Sequence, residues 1–368
     1  MPLTILSDAD VKTLFQGLTQ NDVMSLCAAL SQALTKFSCS TERQYQPHCS
    51  VITRPGQQVT LFMPATTEQL VDVKIVGIRP SPVTASLESG EQPKPQPGLQ
   101  SSLTVCDSLG RAIGILDAAE LTAFRTALGS MLLYKLRQVT EHIVVFGAGK
   151  QALWHIRLAV ILRGNDIRRI TIVNLSKHRT LELIQTLQEA GYPSHITIEP
   201  LDRGNTSDSA MEDIIAGADV IFCTTPSTKP LFPTSFLTSE QARSKSRFIS
   251  AIGSYRLDMA EIDPELLKAV TNPEGTFSSQ VWRGYIAVDS ADGCLQEAGE
   301  LVMADLTSSQ MLEVGQIHKE SDKGMESWLR SGFVVYKSVG IGIMDIVIGE
   351  YLIGLARSKE IGLTSHNF

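Results

Sequence analysis

The chain has 368 residues, 43% hydrophobic and 19% charged, with 32 basic against 39 acidic side chains and a net charge of −7. At about 150 residues per domain that length predicts two domains, whose cores need neither disulfides nor a structural metal. The acidic balance excludes a general nucleic-acid binder, which needs a concentrated basic surface to displace counterions from phosphate. Six cysteines, at 27, 39, 49, 106, 223 and 294, fall in no metal-ligand spacing and read as reduced thiols of a cytoplasmic protein. No basic stretch followed by an apolar run opens the chain, so no secretory signal is expected. The apolar run 339–355 is broken by Gly340, Gly342, Asp345, Gly349 and Glu350, which suits a packed helix better than a membrane span.

The first 35 residues read as helical. Ser7 is placed to cap a helix before Asp8 and Asp10, and Val11, Leu14, Phe15 and Leu18 recur at helical spacing. Short strand-like runs follow at 50–53, 59–63, 71–78 and 102–107. Residues 80–100, rich in proline, are expected to form a surface loop. A helix is expected over 118–137, with Leu121, Phe124, Arg125 and Leu128 on one face. From residue 140 the pattern changes to alternation. Apolar runs at 142–146, 169–173, 196–199, 219–223, 248–252 and 285–288 are interleaved with helical stretches such as 151–163 and 181–190. Alternation of this kind predicts a parallel sheet with crossover connections. The strongly apolar segment 334–358 is expected to pack on a core.

The run VVFGAGKQA carries the spacing G-x-G-x-x-A, with Gly147, Gly149 and Ala152. The first glycine permits a tight strand-to-helix turn, the second lets the backbone approach a pyrophosphate, and the small third residue lets the helix pack on its strand. Helix N-terminal amides then favour the anion. Gly147, Ala148, Gly149, Lys150 and Gln151 are therefore candidate coenzyme contacts. A purely structural turn would carry the same residues, but here a strand precedes the motif, and a helix and a second strand follow. That second strand ends at Asn174, where an NAD-preferring site places an acid to hold the ribose hydroxyls. Asn174 carries no charge to repel a 2′-phosphate, and Ser176, Lys177 and Arg179 follow it. The expected coenzyme is NADPH/NADP, although Lys177 and Arg179 would equally suit a solvated helix start.

Eight blocks, in order, resemble the ornithine cyclodeaminase/mu-crystallin family. They are ILSDADV, FMPATTEQLVDVKIVGIRP, LTAFRTALGS, VVFGAGKQA, TTPSTKPLF, FISAIGSYRLDMAEIDPELL, VDSADGCLQEAGEL and YKSVGIGIMD. The resemblance implies an α/β fold: a Rossmann dinucleotide-binding domain over 131–330, and a discontinuous α+β substrate and dimerisation domain from 1–130 and 331–368. It implies a homodimer and a small imine or amine substrate, with no nucleic acid, membrane or metal. It also adds Thr224 and Ser254 to the coenzyme set.

On the substrate side, Lys74 and Arg125 match the family's carboxylate-binding positions. Both are cations set in apolar runs, where an unpaired charge is expensive, so a shared anion or two separate buried ion pairs is expected. A third family position, usually Arg, falls here on His48 or Cys49. Losing a desolvated clamp of this kind typically costs a few kcal/mol, so either the substrate lacks an α-carboxylate, the reading favoured here, or His48 replaces part of the clamp. His48 suits proton transfer near neutral pH, and equally an ordinary loop histidine. Cyclodeaminases of the family carry an Asp just past the glycine of AIGSYRLDM, where this chain has Ser254 and Tyr255. A hydroxyl cannot replace that carboxylate as base. The leading expectation is NADPH-dependent reduction of a cyclic imine or ketimine of the pyrroline or piperideine type. The rivals are an ornithine cyclodeaminase or amino-acid dehydrogenase, and a non-catalytic NADPH binder of the mu-crystallin kind. Glu297 and Glu300 are read as structural or interface residues.

Overall fold

A computed structural model describes residues 2–55, 58–78, 99–278, 281–320 and 322–368. The chain divides into two units. The first comprises Met1–Leu18, Thr41–Arg125 and Gly342–Phe368; the second comprises Thr19–Ser40 and Thr126–Ile341.

The first unit holds strands β1 (Leu3–Leu6), β2 (Ser50–Thr53), β3 (Val59–Thr66), β4 (Leu70–Ile78), β5 (Leu99–Asp107) and β6 (Ala112–Asp117). The second holds β7 (His142–Phe146), β8 (Arg169–Asn174), β9 (Thr197–Asp202), β10 (Val220–Cys223), β11 (Arg247–Ala251), β12 (Ile286–Val288), β13 (Met311–Glu313) and β14 (Phe333–Lys337). A last strand, β15 (Leu363–Ser365), returns to the first unit.

The first sheet runs β15-β1-β6-β5-β4-β3-β2, antiparallel except for the β1–β6 pair. Alternation along β4 buries Leu70, Asp72, Lys74 and Val76 on one face and leaves Ile75 exposed on the other. The helix Gly342–Lys359 packs on this sheet, and Gly349 lies so near Leu103 that an added Cβ would stand 2.8 Å from its side chain. Ser7 caps the helix Asp8–Gln16 through a capping box with Asp10, as its sequence predicts, and Phe15 stacks on Phe124 at 4.0 Å.

The second sheet is wholly parallel, ordered β13-β12-β14-β11-β10-β7-β8-β9. Its central strands are buried along their whole length, which is why they read as continuous apolar runs. Strand order reverses between β7 and β10, and that reversal defines where a ligand crevice opens. Among the described residues no helix is long and apolar enough to cross a membrane.

Several expectations are corrected. The chain opens with a strand, β1, before its first helix. Residues 331–341 do not belong with the C-terminal helix: 333–337 form β14, hydrogen-bonded between β11 and β12. The segment 334–358 is thus a strand in one unit followed by a helix in the other. The helix Gln20–Cys39 joins the second unit, burying Val23, Leu26, Leu30, Leu34 and Phe37. The loop expected at 80–100 falls almost entirely outside the described residues, and its last two positions begin β5.

Gly315 shows what holds the helix Gln20–Cys39 in place. A Cβ there would overlap the Leu34 backbone carbonyl, and Thr35 Oγ1 donates to the Gly315 carbonyl at 3.3 Å. Backbone cannot yield as a flexible side chain can. Gly315→Ala should therefore lower stability by about 1–3 kcal/mol, read as a reduced midpoint in denaturant unfolding. An unchanged midpoint would contradict this packing.

Candidate functional site

The motif turn lies at the reversal of strand order. Gly147 follows β7 with φ +105°, and a Cβ on it would stand 2.8 Å from Thr224 Oγ1 and 2.9 Å from the Thr224 carbonyl oxygen. Only glycine satisfies both the left-handed backbone and that approach. Thr224, just past β10, donates from both its amide and its hydroxyl to the Phe146 carbonyl, at 3.0 and 2.6 Å.

Gly149 caps the helix Lys150–Arg163 with no side-chain hydrogen bond, and a Cβ on it would meet nothing within 4 Å. The helix N-terminus thus has open space beside Gly149 and no capping side chain from that residue, which is the kind of cradle a pyrophosphate needs. Ala152 is fully buried, as close packing of helix on strand requires. His155, on the same helix, is buried among apolar neighbours, which pushes its pKa down to about 4. It is therefore neutral near pH 7, with Nδ1 donating to the Gln151 carbonyl at 2.7 Å and Nε2 accepting from Ser130 Oγ at 2.9 Å.

A cavity of about 500 Å³ opens here, lined among others by Gly147, Ala148, Gly149, Asn174, Arg179 and Thr224. Six of the expected coenzyme residues thus share one cavity. Ser176 instead caps the helix Lys177–Glu189, accepting from the Arg179 amide, and Asn174 Nδ2 donates to the Ser176 carbonyl. Lys150 and Lys177 are exposed, and neither they nor Gln151 line the cavity. Ser254 is fully buried, its hydroxyl donating to Glu300 Oε2 at 2.6 Å.

Arg203 lines the cavity and was not expected. The run read at 196–199 stops at Pro200, but β9 is an edge strand and edges tolerate proline. β9 continues to Asp202, which pairs with Asn174, so Arg203 emerges beside the end of β8. Arg203 holds Asp208 at 3.2 Å and stays partly exposed.

In the first unit, Lys74 and Arg125 do share an anion, and it is the protein's own. Lys74 Nζ stands 2.7 Å from Asp345 Oδ2, and Arg125 Nε stands 3.2 Å from Asp345 Oδ1. Lys74 and Asp345 are each 1% exposed. Burial pulls the Lys74 pKa down against the attraction of Asp345. Beyond Nε, the Arg125 guanidinium approaches the Met344 sulfur from Nη1, at 3.9 Å. His48 lies exposed before β2. Extending the β2–β3 register by one residue sets Cys49 across from Met63, which pairs with Lys74, so position 49 falls on the Lys74 face two strands away.

Asp72, two residues before Lys74 and on the same face, is a buried carboxyl with no well-formed hydrogen bond to either oxygen among the described residues. Burial, and then the Asp345 charge, push its pKa up to about 8, against the pull of Lys74 and the Ala65 amide. A carboxyl whose folded pKa exceeds its unfolded value loses stabilisation as pH rises from the unfolded pKa to the folded one. Relative to the wild type, Asp72→Asn should thus gain stability between about pH 4 and 8 and change little above that range. Unfolding of both proteins across pH checks this. A stability difference independent of pH would contradict it.

The model of the ornithine cyclodeaminase/mu-crystallin family matches residues 8–360. A Δ1-pyrroline-2-carboxylate reductase of Bacillus cereus is 24% identical over 357 residues, covering 94% of this chain and 95% of that protein. The ketimine reductase mu-crystallin of Macropus fuliginosus is 26% identical over 334 residues, covering 88% and 90%. A solved structure of Thermococcus litoralis Δ1-pyrroline-2-carboxylate reductase, in complex with NADH and L-proline, has a TM-score of 0.73 at 17% identity, covering 98% of this chain and 99% of that one. At that identity the structural likeness speaks for the fold. Matched almost from end to end, the chain belongs to the ornithine cyclodeaminase/mu-crystallin family.

Proposed function

We propose that this protein reduces the C=N bond of a cyclic imine or ketimine, of the pyrroline or piperideine type, using NADPH. The family supports an oxidoreductase acting on C=N or C–N bonds with a nicotinamide dinucleotide, and the cyclic substrate and phosphorylated coenzyme are inferred from the site. The observation that carries the reading is the cavity at the strand reversal, which the glycine turn before the helix shares with Asn174, Arg179 and Arg203.

When bound, the coenzyme supplies a hydride to the imine carbon. The chain supplies binding and orientation. The amides following Gly149 hold the pyrophosphate. Asn174 leaves room for a 2′-phosphate, and the guanidiniums of Arg179 and Arg203 pair with it. The Thermococcus relative was solved with NADH, so the preference for NADPH rests on these three residues alone. Asn174→Asp should weaken NADPH binding by about tenfold or more while sparing NADH, and Arg203→Ala should move the preference the same way. Fluorescence titration of both coenzymes measures this. Equal wild-type affinities for NADH and NADPH would refute the phosphate reading.

Lys74 and Arg125 orient the substrate. Asp345 already neutralises one of the two charges, and Cys49 supplies no third cation, which supports an imine without an α-carboxylate. One observation favours a carboxylated substrate instead: the outer nitrogens of Arg125 have no oxygen partner among the described residues. The reductases of Bacillus and Thermococcus are named for a carboxylated pyrroline. Steady-state comparison of 1-pyrroline with 1-pyrroline-2-carboxylate separates the two readings. We expect the uncharged imine to have the higher kcat/KM; a strong preference for the carboxylated one would assign Arg125 to a carboxylate. The proposed assembly is a homodimer joined through the outer face of the first sheet, where Ile52 and Ile75 are exposed.

A further inference from the structure

One wall of the cavity, residues 224–231, is held from behind by the short segment Ala260–Glu261. The Ala260 amide donates to the Ser227 carbonyl and the Leu231 amide donates to the Glu261 carbonyl, both at 3.0 Å. Thr228 and Ala260 form an isolated parallel bridge. The Glu261 side chain, fully buried, then ties two loops together. Its Oε1 accepts from the Thr225 amide at 2.6 Å and from Thr225 Oγ1 at 2.9 Å, and its Oε2 accepts from the Gly253 amide at 2.6 Å. Thr225 follows β10 and lines the cavity; Gly253 follows β11, and any Cβ on it would overlap the Thr225 carbonyl.

Three donors converge on this carboxylate, an arrangement that fits the ionised acid. Burial pushes its pKa up, and the Lys337 ammonium pulls it back. Lys337 stands 3.3 Å from the equally buried Glu300, leaving two carboxylates against one ammonium. A dinucleotide lying across the reversal of strand order puts its adenosine half on the β7–β8–β9 side, with Asn174 and Arg179, and its nicotinamide half on the β10–β11 side.

We propose that Glu261 is a positioning residue for the nicotinamide half, fixing the wall from Thr225 to Leu231 and setting a buried negative charge behind it that favours the oxidised, cationic ring. The inference rests on the coenzyme reading above and names a residue that reading does not use.

Titration of Glu261→Gln with NADPH, NADP+ and 2′,5′-ADP tests it. The amide must turn its NH2 toward Thr225 or Gly253 and leave one donor unpaired. NADPH should bind roughly tenfold more weakly, NADP+ several-fold worse again, and 2′,5′-ADP, which has no nicotinamide, within about twofold of wild type. Thr225→Val removes one donor and keeps the Glu261 charge. It should weaken NADPH and NADP+ alike, by about threefold, and it keeps the test decisive if Glu261→Gln does not fold. Equal loss across all three ligands in Glu261→Gln, or NADPH affinity unchanged in both variants, overturns the inference. Failure of the wild type to bind any of the three contradicts the coenzyme reading itself.

Discussion

The cavity at the strand reversal depends on the approach of Gly147 to Thr224. Two parallel strands, β7 and β10, lie side by side where the sheet reverses its order. The chain leaving β7 must turn within one residue, against the end of β10, at a φ that only glycine adopts without strain. Because the turn is made there, the next helix begins beside open space, and Gly149 adds no side chain to fill it. A side chain at 147 would push the turn away from Thr224 and close the cavity from inside. The open space at the helix start follows from that contact, while pairing of β8 with β7 and β9 sets Asn174 beside it.

The first unit is governed by charge rather than sterics. Lys74 and Arg125 occupy positions where water cannot solvate them, and Asp345 is the group that makes their burial tolerable. Asp72 adds a second buried carboxyl beside the first and so favours its own protonated form. Burial pulls the Lys74 pKa down while Asp345 pulls it up, so the charge of the cluster is set by that competition. That balance sets how strongly a carboxylate can be attracted, and it separates the two substrate readings physically.

The elements that build the cavity at the strand reversal were legible because their signals are local. The run 142–146, the glycine turn and the following helix appear in the structure where the sequence puts them. Ser7 was readable as a cap for the same reason. What escaped depends on contacts far apart in sequence. Asp345 lies 271 residues from Lys74 and 220 from Arg125, and nothing in YKSVGIGIMD marks it as their partner. The helix Gln20–Cys39 has an amphipathic pattern that says it is buried without saying against what. Arg203 was lost at Pro200, since a proline ends a strand reading unless the strand is known to be an edge. Strand β14 was absorbed into the apolar segment that follows it, because a buried parallel strand and a buried helix are equally apolar.

The most direct measurement is a crystal structure of the protein with NADPH. The account predicts the pyrophosphate on the amides following Gly149, the 2′-phosphate between Arg179 and Arg203, and the nicotinamide beside Thr225. A coenzyme bound elsewhere, with the Gly147–Gly149 turn unengaged, or a 2′-phosphate pointing into solvent away from both arginines, would contradict it.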